Sequence, residues 1–183
     1  MTRLFVALEI EDYIKDNIVS TYSLFSNDII KAKFIPKDHM HITIKFIGEI
    51  NVNDINDIIE RLNDVKSAFN PFKIEYEGMG AFPKPYDPRI IWIGGNSSQL
   101  MDLAKRIDKE LYKVGVKPEQ RPFSSHITIA RVKSTYKKND INDIIQNNRD
   151  RAFGTQTIDR FYLKKSILTP TGPIYSNVEV FEL

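Results

Sequence analysis

His41-Ile42-Thr43-Ile44 returns letter for letter as His126-Ile127-Thr128-Ile129. The 183-residue chain has three histidines, and two of them open these copies, which stand close to half a chain length apart. We read the pair as an internal duplication that brings two histidines and two threonines to one site. The β-branched composition makes each copy a strand, and on a strand residues i and i+2 face the same way. His41 and Thr43 then share one face and Ile42 and Ile44 the other. His126 and Thr128 repeat this against Ile127 and Ile129. The isoleucines belong to a core, and the polar pairs to a groove or to solvent.

Outward from these copies, the chain alternates strand and helix signals. Arg3 to Leu8 reads as a first strand. Ile14, Ile18, Tyr22 and Phe25 recur at helical spacing, which predicts one amphipathic helix from Asp12 to about Phe25. Ile35-Pro36-Lys37-Asp38 is a turn, and the first motif strand runs from His41 to Ile47 ahead of Gly48. Asn53-Asp54 is positioned to cap a second helix carrying Ile55, Ile58, Ile59 and Leu62. Phe72–Tyr76 reads as the next strand. The glycines and prolines of Gly78 to Pro88 predict a loop. Ile90–Ile93 is a strand, and Ser97-Ser98 caps a third helix with Leu100, Leu103, Ile107 and Leu111 on one face. The second motif strand spans His126–Val132, and Asn139-Asp140 opens a short helix. Strands over Gly154–Ile158, Phe161–Leu168 and Tyr175–Phe181 close the chain, the last two joined by a turn at 169–173. The class is α+β, with helices packed on sheet faces and no linker that divides the chain into independent domains.

Composition narrows the chemistry. There is no cysteine, which removes disulfides, thiolate metal sites and a cysteine nucleophile, and fits a reducing compartment. The amino-terminal apolar run is too short for a signal peptide and no stretch approaches a membrane span, so a cytoplasmic protein is expected. The net charge of +2 does not announce a nucleic-acid binder. Two stretches are nevertheless basic without an acid, 131–138 and 160–165, and either solvated loops or a phosphate-facing surface accounts for them.

Two facing imidazoles suit general acid–base catalysis, because one ring holds a proton near neutrality while the other accepts one. Threonine hydroxyls donate hydrogen bonds to phosphate oxygens whose charge grows in a transition state. Water, an acid and a base acting on a phosphodiester fit these parts. A zinc site built from His39, His41 and His126 is the competing reading, but no acid stands near as a fourth ligand. No cofactor is expected.

At these residues the chain resembles the 2H phosphoesterase superfamily, with its two His-x-Thr/Ser-x motifs. More closely it is similar to RNA 2′,3′-cyclic phosphodiesterases, once described as 2′-5′ RNA ligases. The likeness extends over Arg3–Leu8, Met40–Glu49, Phe82-Pro83, Arg89–Gly94, Phe123–Val132 and the tail from Ser166 to Phe181. The chain departs from the pattern at His39, usually asparagine, and Ser125, usually proline. The resemblance implies a LigT-like fold over 1–183, a single domain of two pseudo-symmetric lobes, each an antiparallel sheet, with the motifs in the groove between them. It implies hydrolysis of a 2′,3′-cyclic phosphate to a 2′-phosphate at RNA ends or nucleotides, with His41 as proton donor and His126 as proton acceptor. Thr43 and Thr128 would hold the phosphate, with Arg131 as a further ligand. Strand parity places Arg131 on the face opposite His126, an objection that a bulge would remove. Phe46, Phe82, Tyr86 and Tyr136 are the rings available to stack on the terminal base, although parity turns Phe46 to the core. Trp92 reads as core, and the 82–88 loop as a groove wall. Ligation to a 5′-hydroxyl, phosphodiesterase action on a small nucleotide and noncatalytic binding of RNA ends remain alternatives. A monomer is expected.

Overall fold

The computed structural model describes residues 1–170 and 172–183. Among these, nine strands and four α-helices alternate along the chain. They are β1 (Thr2–Glu9), α1 (Asp12–Val19), β2 (Ile30–Phe34), β3 (His41–Ile50), α2 (Ile55–Lys66), β4 (Phe72–Lys84), β5 (Asp87–Asn96), α3 (Ser98–Tyr112), β6 (His126–Thr135), α4 (Lys138–Asn147), β7 (Ala152–Ile158), β8 (Arg160–Thr169) and β9 (Gly172–Glu182). The strands form one antiparallel sheet in the order β7-β4-β5-β6-β3-β1-β8-β9, with β2 added along β6. The expected pair of sheets is thus two arms of one sheet. The arms meet where β3 lies beside β6, and the pairing there is a single bridge, Ile42 to Ile127. Each is the residue between histidine and threonine in its own tetrapeptide.

Ile42, Ile127 and Ile129 are fully buried, as are Leu62, Leu103 and Ile107 on the helices. α3 packs on β3, α2 on α3 and β9, α1 on β7, and α4 on β4. Lys45 is buried among them. Its ammonium donates to Asp108 Oδ1 at 2.6 Å and to the Lys117 carbonyl at 2.6 Å, fastening β3 to α3 and the segment after it. A buried cation so paired avoids the desolvation penalty of a lone charge.

Several sequence expectations are corrected. The helix from Asp12 ends at Val19 rather than near Phe25, with a separate 3-10 turn at Tyr22–Leu24. The Ser20 and Thr21 hydroxyls donate to the carbonyls of Asn17 and Ile18, an alternative to continuing the helix. β2 is an addition to the expected strands, although Ile30, Ala32 and Phe34 alternate with two lysines. The expected loop at 78–88 is almost all strand, because β4 runs to Lys84 and β5 starts at Asp87. Pro83 and Pro88 stand opposite one another at the hairpin end, where a missing N–H costs little, and Pro85 lies in the turn between the strands. Gly78, at φ +81°, marks a bulge within β4. Ser97 does cap α3, accepting from the Leu100 amide, whereas Asp54 makes no side-chain cap to α2. The last hairpin is present, although Thr171 of its expected turn lies outside the described residues.

Candidate active site

Both motif strands break their alternation at the same offset. On β3 the partner register skips Ile44, and on β6 it skips Ile129. Each skip is a bulge, which turns the side chains that follow it to the other face, until a second skip at Ile47 on β3 and Lys133 on β6. Burial agrees. Lys45 and Ala130 go inward, while Phe46 and Arg131, each five residues after its histidine, come out on the histidine's face. The parity objection to Arg131 is thereby removed. The core placement of Phe46 is overturned, for its side chain is 68% exposed.

The Ile42–Ile127 bridge sets the arrangement on the open face. In an antiparallel pair centred there, His41 lies across from Thr128 and Thr43 across from His126. The two histidines are diagonal neighbours, on the order of 7–8 Å apart in a regular ladder. All four are half-buried.

The imidazoles are oriented alike. His41 Nδ1 lies 2.8 Å from the His39 carbonyl, and His126 Nδ1 lies 2.7 Å from the Ser124 carbonyl. A carbonyl only accepts, so Nδ1 carries the proton in both rings, and Nε2 is the nitrogen left for a ligand. Phe5 and Tyr175 pack on His41 with ring centroids 5.2 and 5.3 Å away, and Tyr175 also meets His39 at 5.3 Å. Phe82 and Trp92 do the same for His126 at 5.4 and 6.4 Å. Trp92 is therefore a wall of the site, not core. Its indole lies over Gly80, where an added Cβ would stand 2.1 Å from the ring. Phe82 fulfils the wall expected of 82–88. Phe5 and Tyr175 carry no signal in the sequence. They come from strands distant along the chain, and only the curl of β1, β8 and β9 brings them to His41.

Electrostatics act on His41. Burial, outweighing the bond to the His39 carbonyl, pushes His41 down to about 4, and the positive charges of Lys164, His39 and Arg131 push the same way. Arg131 on one motif strand is thus felt at the histidine of the other. Among the described residues no carboxylate pairs with Arg131. The 160–165 stretch behaves differently, since Arg160 pairs with Asp159 and Lys164 with Glu9 at 2.6 Å. Lys137 and Lys138 are also paired, with Asp28 and Asp87. The zinc alternative needs His39, His41 and His126 to converge with further ligands. Among the described residues no group of three or more ligating side chains does so.

The LigT like Phosphoesterase family model matches twice, over residues 8–92 and 94–175, and each match holds one tetrapeptide. The chain belongs to this family. An RNA 2′,3′-cyclic phosphodiesterase of Archaeoglobus fulgidus is 38% identical over 98% of this chain and 99% of its own. One of the same name from Methanothermobacter thermautotrophicus is 30% identical over 99% and 98%. A Thermus thermophilus crystal structure superposes with a TM-score of 0.84 at 24% identity, covering 99% of this chain and 97% of that one. Escherichia coli LigT with 3′-AMP gives 0.77 at 18% identity, covering 100% and 98%. At such identities the structural matches speak for the fold, which is the α+β LigT-like arrangement expected. Among the described residues no helix is long and apolar enough to cross a membrane.

Proposed function

We propose that this protein hydrolyses 2′,3′-cyclic phosphate ends of RNA to 2′-phosphomonoesters, without metal, by proton transfer through two histidines. The observation that carries this is the pair of imidazoles on adjoining strands, each with Nδ1 held by a main-chain carbonyl and Nε2 free. The names of the full-length relatives support the substrate.

In this reading His126 Nε2 takes a proton from water as its oxygen attacks phosphorus. The bond from phosphorus to the 3′ oxygen breaks, and that oxygen takes the proton from His41 Nε2. The Thr43 and Thr128 hydroxyls donate to the nonbridging oxygens, and Arg131 balances their charge. Burial, with the cationic surroundings acting the same way, keeps His41 neutral at pH 7. A bound phosphate anion offsets those charges, which raises the proton affinity of His41 Nε2 as the substrate arrives. The exposed Phe46 ring, on the same face, stacks on the terminal base. The same reading takes residues 1–183 as one domain of two pseudo-symmetric lobes, acting as a cytoplasmic monomer.

The test is turnover of a short RNA with a 2′,3′-cyclic end, in chelator, with the product phosphate located. His41→Ala and His126→Ala should each lose about 10²–10⁴ in rate while retaining the wild-type circular dichroism. Undiminished activity in either variant overturns the assignment.

A further inference from the structure

Beside His126 the site opens into a cleft of about 560 Å³ that the proposed chemistry does not use. Such a volume is in the range of sites for small organic ligands. The cleft adjoins the histidine site through Trp92, which lines it and also packs on the His126 ring. Trp92, Gly94 and Asn96 alternate onto one face of β5, and Gly94 is paired with His126. Ser124, whose carbonyl holds the His126 ring, lines it too. Glycine at 94 lets the Glu77 carbonyl of β4 lie close against β5, since a Cβ there would stand 2.7 Å from it.

The lining is chemically mixed. Trp92, Met101 and Phe123 offer apolar and aromatic surface, and Asn96 and Ser98 offer amide and hydroxyl groups. The one acid is Glu77 and the one base, Arg149, is paired with Asp150 at 3.0 Å, so the cleft has no excess positive charge to collect a free anion. Among the described residues, two buried side-chain polar atoms lack a hydrogen-bond partner, Trp92 Nε1 and Ser125 Oγ. Both belong to residues that line this cleft. An apolar shelf with scattered neutral donors and acceptors is the chemistry that receives a nucleobase and its ribose.

We propose that this cleft holds a second nucleotide of the substrate, adjoining the one with the cyclic phosphate, so that oligonucleotide ends are preferred to mononucleotides. The proposal rests on the phosphodiesterase reading and adds the substrate's length to it. It is tested by comparing kcat/KM for a 2′,3′-cyclic mononucleotide and for a dinucleotide ending in the same group. The wild type should favour the dinucleotide by about tenfold or more. Met101→Trp, which fills the cleft from the first turn of α3, should bring that ratio close to one. Asn96→Ala, at an exposed strand end, should lower it several-fold. A wild-type ratio near one, or a ratio unchanged in both variants, overturns the proposal. Mononucleotide turnover in the wild type shows the chemistry standing even where the cleft proposal falls, whereas turnover of neither substrate sinks both.

Discussion

His41 is the residue in which sequence repetition and physical equivalence part company. Both histidines have the same local hydrogen bond, yet His41 alone is pressed between Phe5, Tyr175 and the charges of Lys164, His39 and Arg131. Its folded value of about 4 lies below the ordinary 6.5 of the unfolded chain. Above pH 6.5 neither state is charged, and His41 contributes nothing to the pH dependence of stability. Between 6.5 and about 4 the unfolded chain binds the extra proton, so stability falls as the pH falls. His41→Gln should flatten that part of the curve, read as urea midpoints at pH 7 and pH 4.5 for both proteins. A variant curve parallel to the wild type would refute the origin given. In the proposed reaction Arg131 would act through its charge on the phosphate. Charged hydrogen bonds contribute about 1.5–3 kcal/mol, so Arg131→Met should raise KM by about one to two orders of magnitude. Arg131→Lys should recover part of this. An unchanged KM in Arg131→Met would remove Arg131 from the site.

At the scale of elements, the two bulges decide which side chains reach the groove. They bring Phe46 on β3 and Arg131 on β6 to equivalent places, one ring and one guanidinium, so the repeated strands supply different contacts from the same geometry. The tetrapeptides themselves are legible in sequence, because alternation holds from His41 to Ile44 and from His126 to Ile129. The facing of Lys45, Phe46, Ala130 and Arg131 is not, because a bulge is a main-chain choice with no glycine or proline to mark it here. The four helices are legible from their apolar spacing. The long β4–β5 hairpin is hidden because glycine and proline usually signal a loop. Here Gly80 instead makes room for Trp92, and the prolines sit at the hairpin end. Gly80→Ala places a methyl inside the indole's position, forcing Trp92 off the His126 ring. We expect a stability loss of about 1–3 kcal/mol and a fall in kcat larger than any change in KM. Tryptophan fluorescence should shift with it, and an unaltered spectrum with normal kcat would count against the wall.

For the whole molecule, the seam between the arms is narrow, a single bridge between two isoleucines. Side-chain packing, more than ladder hydrogen bonding, therefore keeps the histidines in register. Ile42→Ala and Ile127→Ala should each cost about 2–5 kcal/mol, as buried aliphatic truncations do. In the double variant the losses should couple, because the residues touch. Strict additivity in denaturant titrations would show that the arms are held elsewhere. Lys45 supplies a second fastening, from the first motif strand to α3.

The main-chain bonds to His41 and His126 also bear on mutational tolerance. The acceptors are the carbonyls of residues 39 and 124, which every amino acid possesses, so no side-chain replacement at either position deletes the group that selects the tautomer. Sequence drift there leaves the tautomer unchanged, although at 39 it alters the charge felt by His41 and the contact with Tyr175. A change of side chain at 39 or at 124 therefore leaves the carbonyl that holds the ring in place. His39→Asn should keep kcat within about threefold, since the proton on Nδ1 is fixed by a group that point mutation does not remove.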